Sequence, residues 1–376
     1  MGLLRYFLAI VVAMGHSPAA FFKPLGGDGG LAVQSFFVIS GFYMSLIIDK
    51  YSLRSLSFSA LKNFYSSRLV RLLPIYYICL LMTLVLVNFN IAPPYYHSPD
   101  EVLTSLSSIS DKLLYLFSNL FLMGQDVMRF LSYDPTHHSF ILDVFGKVSD
   151  PMLGGSGFAT LGQAWSLSLE VTFYLLVPFL LVRNNKFVLI TCILSFLLRL
   201  VLSYFGFDTY NAQHAFFPTA LGVFLLGSLS YRYIYPLIYN KTRSSLKRNV
   251  SAFFGILLVY SAMYHKFNGD LKYWGFVVLI CIALPYLFAY FNKSSWDKFI
   301  GELSYPVYMT HFFCIHLIAK FAAPQYTAYL VVLLSTAISC LLYFLVVKPI
   351  DQYRHAKFIL RSPSPVEPES VLATSG

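Results

Sequence analysis

Arg5 and His16 lie eleven positions apart in an unbroken apolar run. On a helix they differ by about 20° in azimuth and about 16 Å in height, so they share one face at two depths. A charged group deep in a bilayer costs from about 2.5 kcal/mol upward, so such residues usually have a purpose there. Imidazole is the side chain suited to take a proton near neutral pH. A hydrogen-bonded histidine between helices would account for the pair equally well.

A second polar stripe is formed by Gln163, Ser166, Glu170 and Tyr174, at i, i+3, i+7 and i+11. Glu170 falls about ten Å below the outer end of its helix, a depth similar to that of His16. A carboxylate beside an imidazole could orient it as a base, and a structural ion pair is the plainer alternative. Ser304, Tyr308 and His311 share a third face, where packing and hydrogen bonding are at least as good an explanation as catalysis. Arg199 and His316 sit on no such stripe and are read as structural. Arg68 and Arg71, at i and i+3, could clamp phosphates or anchor lipid headgroups.

Lipid must be the solvent around these residues. The 376-residue chain is 57% hydrophobic and 12% charged, where a soluble protein carries about 25% charged residues. Its apolar residues form runs long enough to cross a ~30 Å hydrocarbon core. We expect an all-α, polytopic transmembrane helical bundle of about ten spans. They fall near 3–22, 31–49, 70–91, 164–182, 187–206, 214–235, 250–265, 273–291, 300–321 and 326–347. The first is read as a retained helix, not a signal peptide. The short apolar stretch 113–123 suits an interfacial or re-entrant piece.

With the N-terminus inside, 19 Lys and Arg fall on the inner side and seven on the outer, which predicts both termini in the cytoplasm. The same bias explains the net charge of +10 without nucleic acid, for which no binding signature is present. The five cysteines lie in apolar runs, and neither a disulfide framework nor metal-ligand spacing emerges. The transmembrane domain is expected over 1–350, with a long outer loop at 92–163 that holds Pro93-Pro94, His137-His138 and Gly154-Gly155-Ser156-Gly157. A cytoplasmic tail follows over 351–376, disordered from about 362 by its Pro, Ser and Glu content. His138 and Asp143 have the spacing of the His-x4-Asp pattern of glycerolipid acyltransferases, but about 0.3 such pairs arise by chance at this composition, so the match is weak, and it lies in the outer loop.

Taken in order, several segments resemble the acyltransferase 3 family, membrane enzymes that O-acetylate bacterial surface polysaccharides and other acceptors. They are Leu4-Arg5-Tyr6 through Gly15-His16, Ser35 to Phe42, Arg68 to Pro74, Trp165 to Glu170 with Phe173-Tyr174, Leu303-Ser304-Tyr305 with His311-Phe312, and Lys348-Pro349. The family often has Asp where Gln34 stands here. The resemblance implies ten core helices in the bacterial inner membrane. It also implies acetyl-CoA as cytoplasmic donor substrate with no bound cofactor, and a saccharide hydroxyl, free or lipid-linked, as acceptor. Arg68 and Arg71 would then bind donor phosphates with help from Arg5. His16, oriented by Glu170, would act as base or transient acyl carrier. Ser40 or Ser166 could support the oxyanion, with Tyr308, His311 and Gln34 as further substrate contacts. A transporter or flippase of lipid-linked sugars is the competing reading of the same polar stripes. A third is a structural or sensory membrane protein.

Overall fold

A computed structural model describes residues 1–17, 20–51, 53–89, 99–143, 159–207, 209–266 and 269–359. A helix occupies each of the ten expected segments: α1 (Gly2–His16), α2 (Gly29–Ile47), α3 (Phe58–Asn88), α7 (Trp165–Leu180), α8 (Asn185–Tyr204), α9 (Phe217–Leu229), α11 (Arg243–Ala262), α12 (Gly269–Phe291), α13 (Ser295–Ala319) and α14 (Pro324–Leu342). The protein is an all-α, multi-pass helical bundle. Among the described residues, seven helices are long and apolar enough to cross a membrane, and α1 is apolar but shorter, at 15 residues. It stops at His16, well before the expected end at 22. α13 carries Asp297, Lys298 and Glu302 in its first turns, and α11 opens with Arg243, Lys247 and Arg248, which separates both from a purely apolar span.

α3 begins about three turns before the expected span. Its N-cap is Ser57, whose hydroxyl accepts from the Ala60 amide. At 31 residues it is about 46 Å long, more than the hydrocarbon thickness. Arg68 and Arg71 therefore sit within a continuous helix and not at its frayed end.

The core is built by α1 on α13, α2 on α9, α13 on α14 and α8 on α9. The α2–α9 crossing is backbone on backbone. A Cβ on Gly41 would lie 1.7 Å from the Phe224 carbonyl oxygen, and one on Gly227 would lie 1.8 Å from that of Val38. Small residues allow this approach where lipid supplies no hydrophobic drive between helices. The result fixes Ser40, next to Gly41, and Tyr43, two residues after it.

Between α3 and α7 the outer loop holds α4 (Pro99–Ser105), α5 (Ile109–Phe121), α6 (Gln125–Met128) and the antiparallel strands β1 (Leu131–Asp134) and β2 (Ser139–Leu142). α5 covers the stretch read as interfacial, and it exposes Leu113, Phe117 and Phe121. The hairpin departs from the all-helical expectation. Its strands are only four residues each, too short to show a period among apolar runs. Tyr76 donates to the Asn119 carbonyl, and Asn119 Oδ1 accepts from the Thr160 amide, which ties the loop to α3 and to the approach to α7. The expected loop features at 93–94 and 154–157, and the tail from 360 onward, lie outside the described residues. Upstream of it, α15 (Lys348–Arg354) and the turn that follows continue the last span as helix to residue 359.

Substitution at the α2–α9 crossing tests this packing. Gly227→Val should cost at least about 1–3 kcal/mol, because the backbones must separate. Gly255→Ala, with open space at its Cβ, should be neutral. Thermal unfolding of detergent-purified protein followed by a fluorescent thiol or tryptophan signal measures both.

Candidate active site

A cavity of about 460 Å³ opens between α1, α2, α3, α7, α13 and α15. Gly2 and Asp351, near the two ends of the described chain, both line it, so both ends lie at one end of the bundle. The loop-charge bias of the sequence is the basis for expecting this end to face the cytoplasm. Arg5, Lys50, Arg68, Arg71, Lys298 and Arg354 line the cavity against Glu170, Asp297, Glu302 and Asp351, which leaves it basic.

The two arginines of α3 are not equivalent. Arg71 Nη2 reaches both oxygens of Glu302 on α13, at 3.2 and 3.3 Å. Arg68 is buried, and its Nη2 donates to the Tyr51 hydroxyl at 3.4 Å. Its guanidinium lies 5.8 Å from the Tyr51 ring centroid and 5.9 Å from that of Phe64. Its Nε has no hydrogen-bond partner, and no described carboxylate pairs with it. Arg68 thus offers an uncompensated charge to an anion entering the cavity. Arg71 is already committed to a structural pair. Arg5 also lines the cavity, placed by α1 where Asp297 caps the helix by accepting from the Gly2 and Leu3 amides at 2.7 and 3.0 Å.

Deeper in, Glu170 Oε1 accepts from Ser40 Oγ at 2.9 Å and from the Tyr174 hydroxyl at 2.5 Å. The expected His16–Glu170 pair does not form. His16 Nδ1 instead donates to the Val12 carbonyl of its own helix at 3.0 Å, and the ring is exposed outside the cavity lining. Similar depth on two helices fixes height but not azimuth, and these side chains turn toward different neighbours. The bond to Val12 has a chemical consequence. It places the proton on Nδ1 and leaves the Nε2 lone pair free to accept.

Between cavity and His16 stands Tyr308. Its hydroxyl is 2.6 Å from Ser166 Oγ and donates to the Gln163 carbonyl at 2.9 Å. Gln163 in turn donates to the Met309 carbonyl at 2.8 Å, which locks the start of α7 to α13. The Tyr308 ring centroid is 5.8 Å from that of His311, and His311 is 5.2 Å from His16. His311 is fully buried. Its Nδ1 faces the Tyr308 carbonyl at 2.5 Å and its Nε2 has no partner. With the proton on Nδ1, His311 Nε2 is an acceptor in this arrangement. Ser40 likewise has its hydroxyl proton on Glu170. Gln34 is buried away from the cavity. It donates to the His214 carbonyl at 3.3 Å and its Oε1 is unpartnered.

Lys50, Tyr174, Glu302 and Arg354 were not singled out from sequence as site residues. Glu302 was discoverable as an acid inside an expected span. Lys50 and Arg354 reach the cavity only through the fold. His138 Nδ1 contacts the Tyr133 hydroxyl at 2.9 Å and Asp143 accepts from Ser132, so the His-x4-Asp spacing makes no site. The neighbouring His137 holds the partly exposed Asp134 carboxyl below its usual range by hydrogen bonding. No group of ligating side chains suited to a metal occurs among the described residues.

A multi-pass bundle with a basic cavity at one end and an exposed imidazole beyond it suits transfer of an anionic, activated donor's cargo. A family model described as an acyltransferase domain matches residues 1–347, and the chain belongs to this acyltransferase 3 family. It is 25% identical over 336 residues to the O-acetyltransferase OatA of Staphylococcus aureus strains NCTC 8325 and COL, covering 82% of this chain and 49% of those proteins. The chain thus spans about half the length of the curated relatives it matches. No solved structure matches it.

The inequality of the two arginines is testable. Arg68→Ala should weaken acetyl-CoA binding by about 1.5–3 kcal/mol without unfolding the protein. Arg71→Ala should lower stability as well, since it strands Glu302, and Arg71→Ala with Glu302→Gln should recover part of that loss. Donor titration and thermal unfolding of the three variants separate the effects. Equal donor defects with unchanged stability would contradict the assignment.

Proposed function

We propose that the protein is a membrane O-acyltransferase of the bacterial inner membrane. It takes an acetyl group from cytoplasmic acetyl-CoA, held as substrate in the basic cavity, and passes it to a saccharide hydroxyl presented from the outer side. The observation that carries this reading is the arrangement of Arg68, Tyr308 and His16. An uncompensated guanidinium lies in a cavity at one end, and a base-competent imidazole lies beyond its closed inner end. The family supports acyl transfer, and the relatives' name, O-acetyltransferase, supports acetyl and oxygen.

In this reading Arg68, Arg5 and Lys50 hold donor phosphates, and the thioester lies toward Ser166 and Tyr308. The Tyr308 hydroxyl closes the cavity through Ser166 and Gln163. Its release from those partners opens a way to His16 and frees a hydroxyl to donate to the carbonyl oxygen as charge develops. The acceptor hydroxyl gives its proton to His16 Nε2 as its oxygen attacks the thioester carbon. The C–S bond breaks, and the leaving thiolate takes a proton back, so the imidazole is regenerated. A transient acyl-imidazole would use the same Nε2 as nucleophile. Glu170 acts from within the cavity, through Ser40 and Tyr174, and not as the direct partner of His16.

Removal of the base should be decisive. General-base catalysis contributes about 10²–10⁴-fold, so His16→Ala should abolish detectable acetyl transfer while acetyl-CoA binding and membrane insertion persist. Glu170→Gln, which keeps shape and loses charge, should leave a measurable residual rate. Coenzyme A release and acceptor acetylation by purified protein provide the readout. Substrate movement without thioester consumption would point to a transporter, and a His16→Ala variant with most of its activity would remove the proposed site.

A further inference from the structure

Arg129 carries a charge that the proposed reaction does not use. It follows α6 in the outer loop, and it is clasped by Asn211: Arg129 Nε donates to Asn211 Oδ1 at 2.8 Å, and Asn211 Nδ2 donates back to the Arg129 carbonyl at 2.8 Å. The guanidinium carbon lies 4.8 Å from the Trp165 ring centroid. Stem, Nε and one guanidinium face are thereby fixed. The terminal nitrogens are neither sealed in the packing nor hydrogen-bonded to any described residue.

The groups around it supply no counter-charge among the described residues. His16 on α1, Tyr308 on α13 and Tyr210 before α9 are within its electrostatic reach. Lys23, which also reaches His16, donates to the Ser17 carbonyl at 2.8 Å. The carboxylates of this end are engaged elsewhere. Asp126 accepts from Ser168 Oγ at 2.7 Å. Asp28 caps α2 through the Leu31 amide at 2.8 Å and accepts from Tyr264. A half-buried arginine without an acid partner is costly unless a ligand supplies the anion. Its planar fork matches carboxylate and phosphate oxygens two at a time.

We propose that Arg129 selects the acceptor: its guanidinium engages a carboxylate or phosphate carried by the saccharide and so sets the hydroxyl to be acylated beside His16. This rests on the acyltransferase reading and adds a chemical class to it, an anionic glycan. The clasp by Asn211 and the Trp165 face pre-organise the fork, so little freedom is lost when the anion arrives.

The test uses the full chain in lipid nanodiscs with three probes: oligogalacturonate, its carboxyl-reduced galactose counterpart, and a glucose 1-phosphate derivative of similar size. The wild type should bind at least one anionic probe roughly 10- to 100-fold more tightly than the neutral one. The stronger of the two anionic arms identifies carboxylate or phosphate. Arg129→Ala should erase the preference and Arg129→Lys should keep part of it, both with unchanged acetyl-CoA binding as the sign of an intact fold. Equal binding of all three probes by the wild type, or a preference that survives in Arg129→Ala, overturns the proposal. Acetyl transfer is scored separately. Anion-selective binding that is lost in Arg129→Ala, without any transfer to the probes, would uphold the anion site at Arg129 and leave the reaction itself to the coenzyme A release assay described above.

Discussion

A positive charge inside a helical bundle must be neutralised within the fold or kept for something that arrives from outside. The arginines of this protein divide along that line. Arg71 is paired with Glu302 across α3 and α13. Arg199 is held by the Thr219 carbonyl and lies 5.1 Å from the Trp274 ring centroid, which makes it part of the α8–α9 packing. Arg68 lies between aromatic faces in the basic cavity, with no acid paired to it among the described residues. The bundle therefore holds in Arg68 a guanidinium with no acid paired to it, inside a cavity that other basic side chains also line.

The route between the two ends is narrow and hydrogen-bonded. Tyr308 is the shared element: it lines the cavity, closes it through Ser166 and Gln163, and its ring leads to His311 and then to His16. Gln163 couples this closure to the junction of α7 with α13. Tyr308 is held by a few neutral hydrogen bonds, each worth about 0.5–1.5 kcal/mol net, so its release from them is inexpensive.

Much of the fold was legible because apolar run length is a direct consequence of bilayer thickness. A helix occupies each of the ten segments that the runs predict, though α1 ends early and α3 begins early, and Arg5, Ser40, Arg68, Arg71, Ser166, Glu170 and Tyr308 do converge on one cavity. The pairing of His16 with Glu170 was not legible. Helical rise gives each residue's depth, but which neighbours a side chain meets depends on how helices are rotated against one another. Ser40 and Tyr174 claim Glu170, and Val12 claims His16. Arg129 left no trace in the sequence, because a loop cation has no period and its significance comes from Asn211 and Trp165, far along the chain. Lys50 and Arg354 were obscure for the same reason.

In the proposed reaction, acyl donor and acceptor meet from opposite sides of the membrane through this bundle. Oriented proteoliposomes with acetyl-labelled acetyl-CoA supplied to one face and a saccharide acceptor to the other test it directly. Label should reach the acceptor when the donor is on the face carrying Arg68 and the acceptor is on the face carrying His16, and should fail to do so with the two exchanged. Transfer that requires donor and acceptor on the same face would contradict the account.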